Sequence, residues 1–526
     1  MRSRAFFTVV VLSCALVSGG WFVEHGLIGK TTSSSPTNGA RLFDEVFDRV
    51  ERAYVDTLAD SAIYRKAVEG LVSELGDPHS AYLSPALMAN LSERTSGRYA
   101  GIGAQIDVRD GWITIVAPLP GGPALDAGIR AGDRIVEVNG AELRGVTVEA
   151  AQKALRGAPG SVVRTTIERP GMTTPLKFAL TRKEVRVRPV SHALLLDNGV
   201  GYVSLAIFSQ EAAGDLRRAI DSLRTAGMKT LVFDLRGDPG GLLDEGVAVS
   251  DLFLNAGQGI VSMKGRTADA SRSYADRAPQ PWPNLPVAVL VDSNSASAAE
   301  IVAGALQDHD RALLLGTATY GKGSAQTVFP LGPSGALKLT IALWYTPAGR
   351  SINRPHVDAD TPPDSAPRPK YKTDDGRTVL GGGGITPDIV IPIDRSRGAD
   401  SVFEQALGKH IPEFRDALTD YARTLEGTHA VASPNFTVTP DMRAELWKRM
   451  KTRGIAMDSA TYVAGAPLVD RALGYEIARY VFGPDAEFQR RLRDDATLNR
   501  ALSVVRGATT QRELLQRAAS QSAKKR

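Results

Sequence analysis

The sequence predicts a multidomain α/β protein, and three observations lead to that fold class. With 526 residues, the chain is long enough for several domains of ordinary size. Apolar runs at 230–235 and 286–291 alternate with helical patterns, which is typical of parallel strands covered on both faces. Helical patterns occupy both ends of the chain, and a stretch of short alternating strands, 99–185, precedes the α/β region.

Composition excludes several classes of protein. Hydrophobic residues make up 43% and charged residues 23%, close to the average for soluble globular proteins, so the chain is neither disordered nor a polytopic membrane protein. The 63 basic and 58 acidic residues give a net charge of only +5, which does not indicate nucleic acid as a partner. The single cysteine, Cys14, excludes an intramolecular disulfide. The seven histidines are scattered and form no metal-binding motif, so we expect no metal and no cofactor.

The first thirty residues predict export. Two arginines precede residues 5–23, which carry no charge and are about as long as a helix that crosses a bilayer. Because basic residues lie before this segment and Glu24 after it, we expect everything beyond residue 30 outside the cytoplasm, in the periplasm. Small residues at 17–19 suit a signal peptidase, whereas apolar residues at 21–23 suit an uncleaved anchor in the inner membrane. Both alternatives stay open.

Changes in composition and periodicity divide the chain into six segments. In chain order they are a signal peptide or signal anchor (1–30), a linker (31–40), an N-terminal helical domain (41–97), a β module (98–185), an α/β core (186–397) with a flexible Pro/Gly-rich loop (355–384), and a helical C-terminal extension (398–526) in which no chemistry is visible.

The β module begins with a glycine-rich turn. Gly101, Ile102, Gly103 and Ala104 lead into alternating strands, and a tight turn, a strand and an Asn-Gly hairpin follow at 131–140. This pattern resembles a PDZ domain, which binds peptide tails. The resemblance implies that amides around these four residues hold the terminal carboxylate of a tail that is added to the module as a strand.

A nucleotide site is disfavoured. Residues 316–322 match a phosphate-binding loop up to its lysine, but Gly323 stands where that motif needs a Ser or Thr hydroxyl. A strand pattern then follows instead of a helix.

Three other segments suit acyl transfer. Ser295 and Ser297 lie at the start of a helix, where free backbone amides favour an oxyanion, although most serines at such positions are helix caps. A serine nucleophile needs a base, and Lys322 lies among small residues that would desolvate its amine. Gln326, four residues later, can orient that amine. The third segment, 234–241, is a strand end followed by a glycine turn, which suits an oxyanion hole.

Together these motifs resemble the carboxyl-terminal processing proteases, also called tail-specific proteases, which are serine peptidases with a Ser-Lys dyad. The resemblance covers about residues 46–392. It depends on these sequences: Tyr99-Ala100-Gly101-Ile102-Gly103-Ala104, 234–241, Ser295-Ala296-Ser297-Ala298-Ala299-Glu300, 321–326 and Gly382-Gly383-Gly384-Ile385-Thr386-Pro387-Asp388.

The resemblance implies a role for each site residue. The family's nucleophile is the serine three residues before the glutamate, which selects Ser297, and its lysine follows twenty-five residues later, which selects Lys322. Gln326 would orient the lysine. The amides of Ala298 and of Gly240 or Gly241 would form the oxyanion hole, and which glycine contributes stays open. Two positions depart from the family: Asp238 replaces the usual asparagine, and Ala299 replaces a common serine.

The resemblance also implies a spiral ββα core of the crotonase/ClpP type with an inserted PDZ domain, and a serine endopeptidase that acts through an acyl-enzyme. The expected partners are proteins or peptides with exposed C-terminal tails. An activating adaptor and a homodimer formed through residues 43–93 stay open. The alternative function is a membrane-anchored PDZ adaptor with an inert protease-like core, and the intact Ser297, Lys322 and Gln326 argue against it.

Overall fold

The computed structural model describes residues 36–169, 172–354, 368–392 and 398–523. The predicted export segment therefore lies outside the described residues. The chain forms two compact units, of which the first ends at Tyr82 and the second begins at Leu83. None of the helices in the described ranges combines the length and the apolarity needed to cross a bilayer.

The described part of the first unit contains two helices, α1 (Pro36–Ala53) and α2 (Asp60–Ser73). They contact each other through the rings of Phe47 and Tyr64, whose centroids are 4.2 Å apart. A short strand, β1 (Ala81–Leu83), follows them. A further helix, α3 (Pro85–Ser96), belongs to the second unit and begins after Ser84, whose hydroxyl accepts a hydrogen bond from the Leu87 amide.

The β module forms as its alternating pattern predicts. Strands β3, β4, β5, β7 and β8 pair in that order, β6 pairs with β5, and β2 pairs with β9. The elements are β2 (Arg98–Gly101), β3 (Ala104–Arg109), β4 (Trp112–Pro118), α4 (Pro123–Asp126), β5 (Arg134–Val138), β6 (Ala141–Glu142), α5 (Val148–Leu155), β7 (Val162–Glu168), β8 (Leu176–Thr181) and β9 (Lys183–Arg186). Isoleucines on alternate positions of the strands fill its interior, among them Ile113, Ile115, Ile135 and Ile167.

The α/β core is built on a six-stranded sheet with the order β10-β11-β12-β15-β16-β21. Strand β10 is antiparallel to β11, and the remaining neighbours are parallel. Strands β13, β14, β17 and β18 pair antiparallel in a second sheet. The elements are β10 (Val190–Leu196), β11 (Val200–Leu205), α6 (Ala212–Thr225), β12 (Thr230–Asp234), α7 (Leu243–Asp251), β13 (Gly259–Gly265), β14 (Arg272–Ala275), β15 (Val287–Val291), α8 (Ala298–Asp308), β16 (Leu313–Gly316), β17 (Ser324–Pro330), β18 (Ala336–Tyr345), β19 (Lys370–Lys372), β20 (Thr378–Leu380) and β21 (Ile389–Val390).

The C-terminal region is helical, as predicted. Its helices are α9 (Gly398–Leu407), α10 (Ile411–Thr428), α11 (Pro440–Thr452), α12 (Ser459–Ala464), α13 (Ala466–Ile477), α14 (Pro484–Asp494), α15 (Ala496–Val505) and α16 (Gln511–Ala523). The first five of these helices share an apolar core of their own around Phe403, Leu446 and Leu473.

The last three helices correct the expectation that the α/β core ends near residue 397. Leu498 and Leu514 are buried in one apolar cluster with Val232 and Leu290 of the central sheet. Helices α6, α7 and α8 cover the opposite face of the sheet. A parallel sheet needs apolar cover on both faces, and here the C-terminal helices supply the second layer.

The predicted flexible loop at 355–384 is also corrected in part. Residues 355–367 lie outside the described residues, but β19 and β20 within the rest form an antiparallel hairpin. Arg377 in that hairpin donates to Asp310 and to Asp388, both at 2.5 Å. The polar residues that indicated a loop therefore form an ion-pair network that anchors the hairpin to the core.

The C-terminal helices also contact the β module. Arg453 pairs with Asp110 at 2.7 Å, and Arg415 donates to the carbonyl of Val108 at 2.9 Å. Both acceptors lie on or beside the β3–β4 hairpin.

We predict that Leu498→Ala destabilises the α/β core by about 2–5 kcal/mol, because the side chain is only 1% exposed and its loss leaves a cavity against the sheet. Denaturant unfolding followed by tryptophan fluorescence measures this change. Val463→Ala is the control, since Val463 is 68% exposed. A Leu498 variant as stable as the wild type would show that α15 is not part of the core.

Candidate active site

The candidate residues lie on three loops at one edge of the central sheet. Strands β12, β15 and β16 are neighbours and run parallel, so the loops that leave their carboxyl ends meet at the same edge. The glycine turn follows β12, the serine segment follows β15, and the segment that ends at Lys322 follows β16. The sheet order thus brings together residues that are far apart in the sequence.

Ser297 has a strained backbone conformation at the start of α8. Its φ of 54° and ψ of −113° are unusual for a residue with a side chain. Such strain at a strand-to-helix turn is typical of a nucleophile elbow, which exposes the serine hydroxyl. Ser297 is half-buried. It is the N-cap residue of α8, and Ala298 is the first residue of the helix.

Ser295, the other candidate in this segment, has a structural role. It is fully buried, and its hydroxyl donates to the carbonyl of Leu235 at 2.8 Å and accepts from the amide of Asp292 at 2.9 Å. The Asp292 carboxylate accepts in turn from the amides of Gly237 and Ser295, each at 3.0 Å. These bonds join the serine segment to the glycine turn.

Glu300 joins the serine segment to the lysine segment. One carboxylate oxygen, Oε2, accepts from the amides of Ser297 and Lys322, each at 2.9 Å. The other, Oε1, accepts from the Thr319 hydroxyl at 2.5 Å and from the Gly321 amide at 2.7 Å. Because two amides share one oxygen atom, the backbones of Ser297 and Lys322 cannot be farther apart than two hydrogen bonds.

In the sequence, Glu300 is only a marker of the serine motif, and its binding to the lysine segment was not predicted. The residue is 0% exposed, so the carboxylate has lost its hydration. Burial raises the pKa of Glu300, and its four hydrogen bonds oppose that rise. A glutamate three residues after a serine suggests a capping box, but nothing local predicts that the same carboxylate also binds a loop twenty residues away.

Residues Gly384 and Ile385, from the glycine-rich motif before β21, fix Thr319 in place. The Ile385 amide donates to the Thr319 hydroxyl at 2.7 Å, and the Thr319 amide donates back to the Ile385 carbonyl at 3.1 Å. Gly384 has a φ of 86°, and a Cβ added there would lie 2.4 Å from the Thr319 carbonyl oxygen. The motif therefore needs glycine for both conformation and space.

The glycine turn lies directly against the serine segment. A Cβ added to Gly240 would lie 2.8 Å from the Ser297 Cβ and 2.8 Å from the Ala298 amide nitrogen. The Gly240 amide itself donates to the Asp238 carboxylate at 2.8 Å. Within the described part of the chain, the amides of Gly241 and Ala298 donate to no acceptor.

A second ion-pair network anchors the glycine turn through Arg236. Arg236 donates to Asp234 and to Asp495, with the shortest bond to each at 2.6 Å, and the Tyr202 hydroxyl donates to Asp234 at 2.7 Å. Burial alone would lower the pKa of Arg236, but the two carboxylates raise it. Asp495 is the N-cap residue of α15, so the C-terminal helices reach the loop next to Ser297.

The two other candidate side chains lie on or before β17. Lys322 is half-buried. Gln326 is also half-buried, and its amide nitrogen donates to the hydroxyls of Ser324 and Thr340 at 2.9 and 3.0 Å. These bonds hold the Gln326 side chain across the β17–β18 pair.

The four candidate tail-binding residues form a rigid loop in the β module. The Gly103 carbonyl accepts from the Leu119 amide at 2.9 Å, and the Ile102 carbonyl accepts from the Ala124 amide at 2.8 Å. Gly103 has a φ of 70°, and a Cβ there would lie 2.7 Å from the Cα of Gly122. Gly101 ends β2 and Ala104 begins β3.

Two sequence profiles match this chain. The profile of peptidase family S41 matches residues 199–362, and that of the PDZ domain matches residues 114–169. The first match contains all three loops of the candidate active site.

Several named proteins are similar to this chain over two thirds of its length or more. A carboxy-terminal-processing protease of Bartonella bacilliformis is 35% identical over 399 residues, which are 75% of this chain and 90% of the relative. The carboxy-terminal processing protease CtpA of Bacillus subtilis is 31% identical over 365 residues, 68% of this chain and 78% of the relative. The solved structure of a photosystem II D1 C-terminal processing protease has 28% sequence identity and a TM-score of 0.38, with 67% of this chain and 92% of that chain covered.

We predict that Glu300→Gln disrupts the site. Whichever way the new amide points, its NH2 group faces two hydrogen-bond donors, and the charge that strengthened all four bonds is gone. We expect a lower melting temperature and a rate of Ser297 labelling by a fluorophosphonate reduced by about 10- to 1,000-fold.

The matched control is Glu245→Gln. Glu245 also accepts from two backbone amides, those of Glu211 and Ala213, but it caps α6 outside the three loops. Wild-type labelling of the Glu300 variant would show that this carboxylate does not position Ser297.

Proposed function

This chain belongs to the carboxy-terminal processing proteases of peptidase family S41, and we propose that Ser297 and Lys322 form its catalytic dyad. The observation that carries the proposal is the shared oxygen of Glu300, which joins the backbones of both residues. A strained serine at a helix N-terminus, next to a loop that carries a lysine, suits a serine peptidase without histidine.

In the proposed reaction, the Lys322 amine accepts the proton of the Ser297 hydroxyl as the oxygen attacks the carbonyl carbon of a peptide bond. The product is a tetrahedral species with a negatively charged oxygen. Lys322 then donates the proton to the leaving amine, the carbon–nitrogen bond breaks, and an acyl-enzyme ester remains. Water, deprotonated by the same amine, attacks the ester carbonyl. The bond to the Ser297 oxygen breaks, Lys322 returns the proton to that oxygen, and the new carboxyl terminus is released.

We assign the oxyanion hole to the amides of Gly241 and Ala298. The Gly240 amide already donates to Asp238, whereas the other two amides have no acceptor within the described residues. The Ala298 amide also lies at the positive end of the α8 dipole, which favours a developing negative charge.

We propose that the side-chain carbonyl oxygen of Gln326 accepts a hydrogen bond from the Lys322 amine. The amide nitrogen of Gln326 is engaged by two hydroxyls, so that rotation of the amide is restrained and its oxygen has a defined direction. Fixing the amine in this way would favour proton transfer from Ser297.

Substrate capture is assigned to the PDZ domain. An unfolded tail would add as a strand beside the loop Gly101–Ala104, with its terminal carboxylate on the loop amides. The bonds that tie this loop to Leu119 and Ala124 support a preformed site. Cleavage then occurs upstream of the bound tail.

The remaining assignments concern architecture and location. We propose a spiral ββα core with an inserted PDZ domain and with the last three helices as part of the core, and export to the periplasm through residues 5–23. Phe43, Val46 and Leu71 are large apolar side chains that stay exposed on α1 and α2, which supports a homodimer formed through this region.

We predict that Ser297→Ala and Lys322→Ala each reduce cleavage of an unfolded protein with an apolar C-terminus by about 10⁴-fold or more, because each variant removes one half of the dyad. The assay uses the full-length protein and gel electrophoresis of the products. Ser293→Ala and Lys370→Ala are the controls, since both residues are exposed outside the dyad. If the wild type binds the tail but does not cut, the inert-adaptor alternative is favoured.

We also predict that amidation of the substrate C-terminus raises KM at least about tenfold and changes kcat much less, because the PDZ loop then loses the carboxylate. Initial rates with matched free-acid and amidated peptides measure this effect. Equal KM values would show that the tail carboxylate is not recognised.

A further inference from the structure

Asp238, in the glycine turn, is a buried acid beside the proposed reaction centre. Its side chain is 0% exposed. Oxygen Oδ1 accepts from the Gly240 amide at 2.8 Å, and the Asp238 carbonyl accepts from the Ala296 amide, next to Ser297, at 2.9 Å. The second carboxyl oxygen, Oδ2, is buried without a hydrogen-bond partner among the described residues.

Burial and the Gly240 hydrogen bond are the two influences on the pKa of this carboxyl group, and neither of its oxygens is hydrogen-bonded to a cation within the described residues. In the same turn, Arg236 is held by Asp234 and Asp495. On the serine segment and on α8, Asp292 and Glu300 are themselves acidic and are bound to backbone amides. The neighbouring lysine segment carries Lys322, the proposed base, which is not among the groups that shift the pKa of Asp238.

An ionised carboxylate in this position is therefore costly. Burial raises the pKa of Asp238 to about 8, although the hydrogen bond from Gly240 opposes the rise. At neutral pH the carboxyl group is thus mostly protonated. A neutral carboxyl group still accepts the Gly240 hydrogen bond through Oδ1. Its unpartnered Oδ2 is then a protonated hydroxyl oxygen and carries no negative charge.

We propose that Asp238 is a positioning residue that supports catalysis as a neutral acid and switches the site off when it ionises. In the neutral form it orders the glycine turn through the Gly240 amide. When it loses its proton to solvent, a negative charge appears on the group that binds the Gly240 amide, one residue before Gly241 of the proposed oxyanion hole, and opposes the oxyanion that forms there. This proposal deepens the proposed function and rests on it.

The pH profile is expected to have a falling limb. Activity decreases as Asp238 ionises, with an apparent pKa of about 8. Asparagine has nearly the same shape, keeps the Oδ1 acceptor and cannot ionise. Asp238→Asn should therefore retain activity at pH 7 and lose the falling limb.

The test is kcat/KM of the full-length protein between pH 6 and 9.5, for the wild type and Asp238→Asn. The ratio of the two values at each pH cancels the ionisation of Lys322. We expect the ratio to rise in favour of the variant by about 30-fold from neutral pH to pH 9.5. A ratio that does not change with pH, or a folded variant that is inactive at every pH, would overturn the proposal.

Asp276→Asn is the matched control. Asp276 is also buried, also has an unpartnered Oδ2 among the described residues and also accepts a backbone hydrogen bond, from Ala278 at 2.8 Å. It follows β14, away from the three loops. We expect its pH profile to match that of the wild type.

A second measurement tests the proton on Asp238 without catalysis. The folded protein keeps a proton that the unfolded chain loses near pH 4, so folding stability contributed by this group declines between about pH 4 and pH 8. The melting temperature should fall over this range less steeply in Asp238→Asn than in the wild type, and Ser297→Ala should behave as the wild type does. Equal slopes for the wild type and Asp238→Asn would overturn the proposal. Cleavage that survives in Ser297→Ala would instead refute the dyad.

Discussion

The carboxylate of Glu300 accepts four hydrogen bonds, one from the serine that begins its own helix and three from the segment that follows β16. Because the carboxylate is fully buried, it is stable as an anion only while these donors are in place. The serine segment and the lysine segment are therefore bound to one carboxylate, and this carboxylate needs all four hydrogen-bond donors to stay ionised. Their separation is limited by the two hydrogen bonds that meet at one oxygen atom of Glu300.

The other elements of the site support this contact. Gly384 and Ile385 fix Thr319, which donates to Glu300, and Asp292 ties the glycine turn to the serine segment. The network continues through Arg236 to Asp495 on a C-terminal helix. The C-terminal helices thus complete the cover of the central sheet and also neutralise the arginine beneath the glycine turn. Because the sequence of these helices is rich in charged residues, neither contact could be predicted from it.

Two residues of the site violate the usual rules of stable folds. Ser297 has a positive φ although it is not a glycine. Asp238 is a buried acid, and one of its carboxyl oxygens has no hydrogen-bond partner among the described residues. Each feature costs stability, yet Ser297 is the proposed nucleophile and Asp238 accepts hydrogen bonds from Gly240 and Ala296 beside it. Proteins commonly accept such costs at functional sites, where geometry and charge matter more than stability.

The sequence by itself determined the strands and helices of the α/β core, the β module and the motifs that carry the family, because hydrophobic periodicity and turn residues act locally along the chain. The resemblance of these motifs to the protease family also pointed to Ser297 and Lys322 as the proposed dyad. Only the tertiary structure decided that Glu300 binds both segments, that the hairpin at 370–380 is ordered, and that Asp495 and Leu498 belong to the core. These contacts join residues that are far apart in the chain, and no local pattern specifies which distant donor a buried acid will find or which face of a sheet a distant helix will cover.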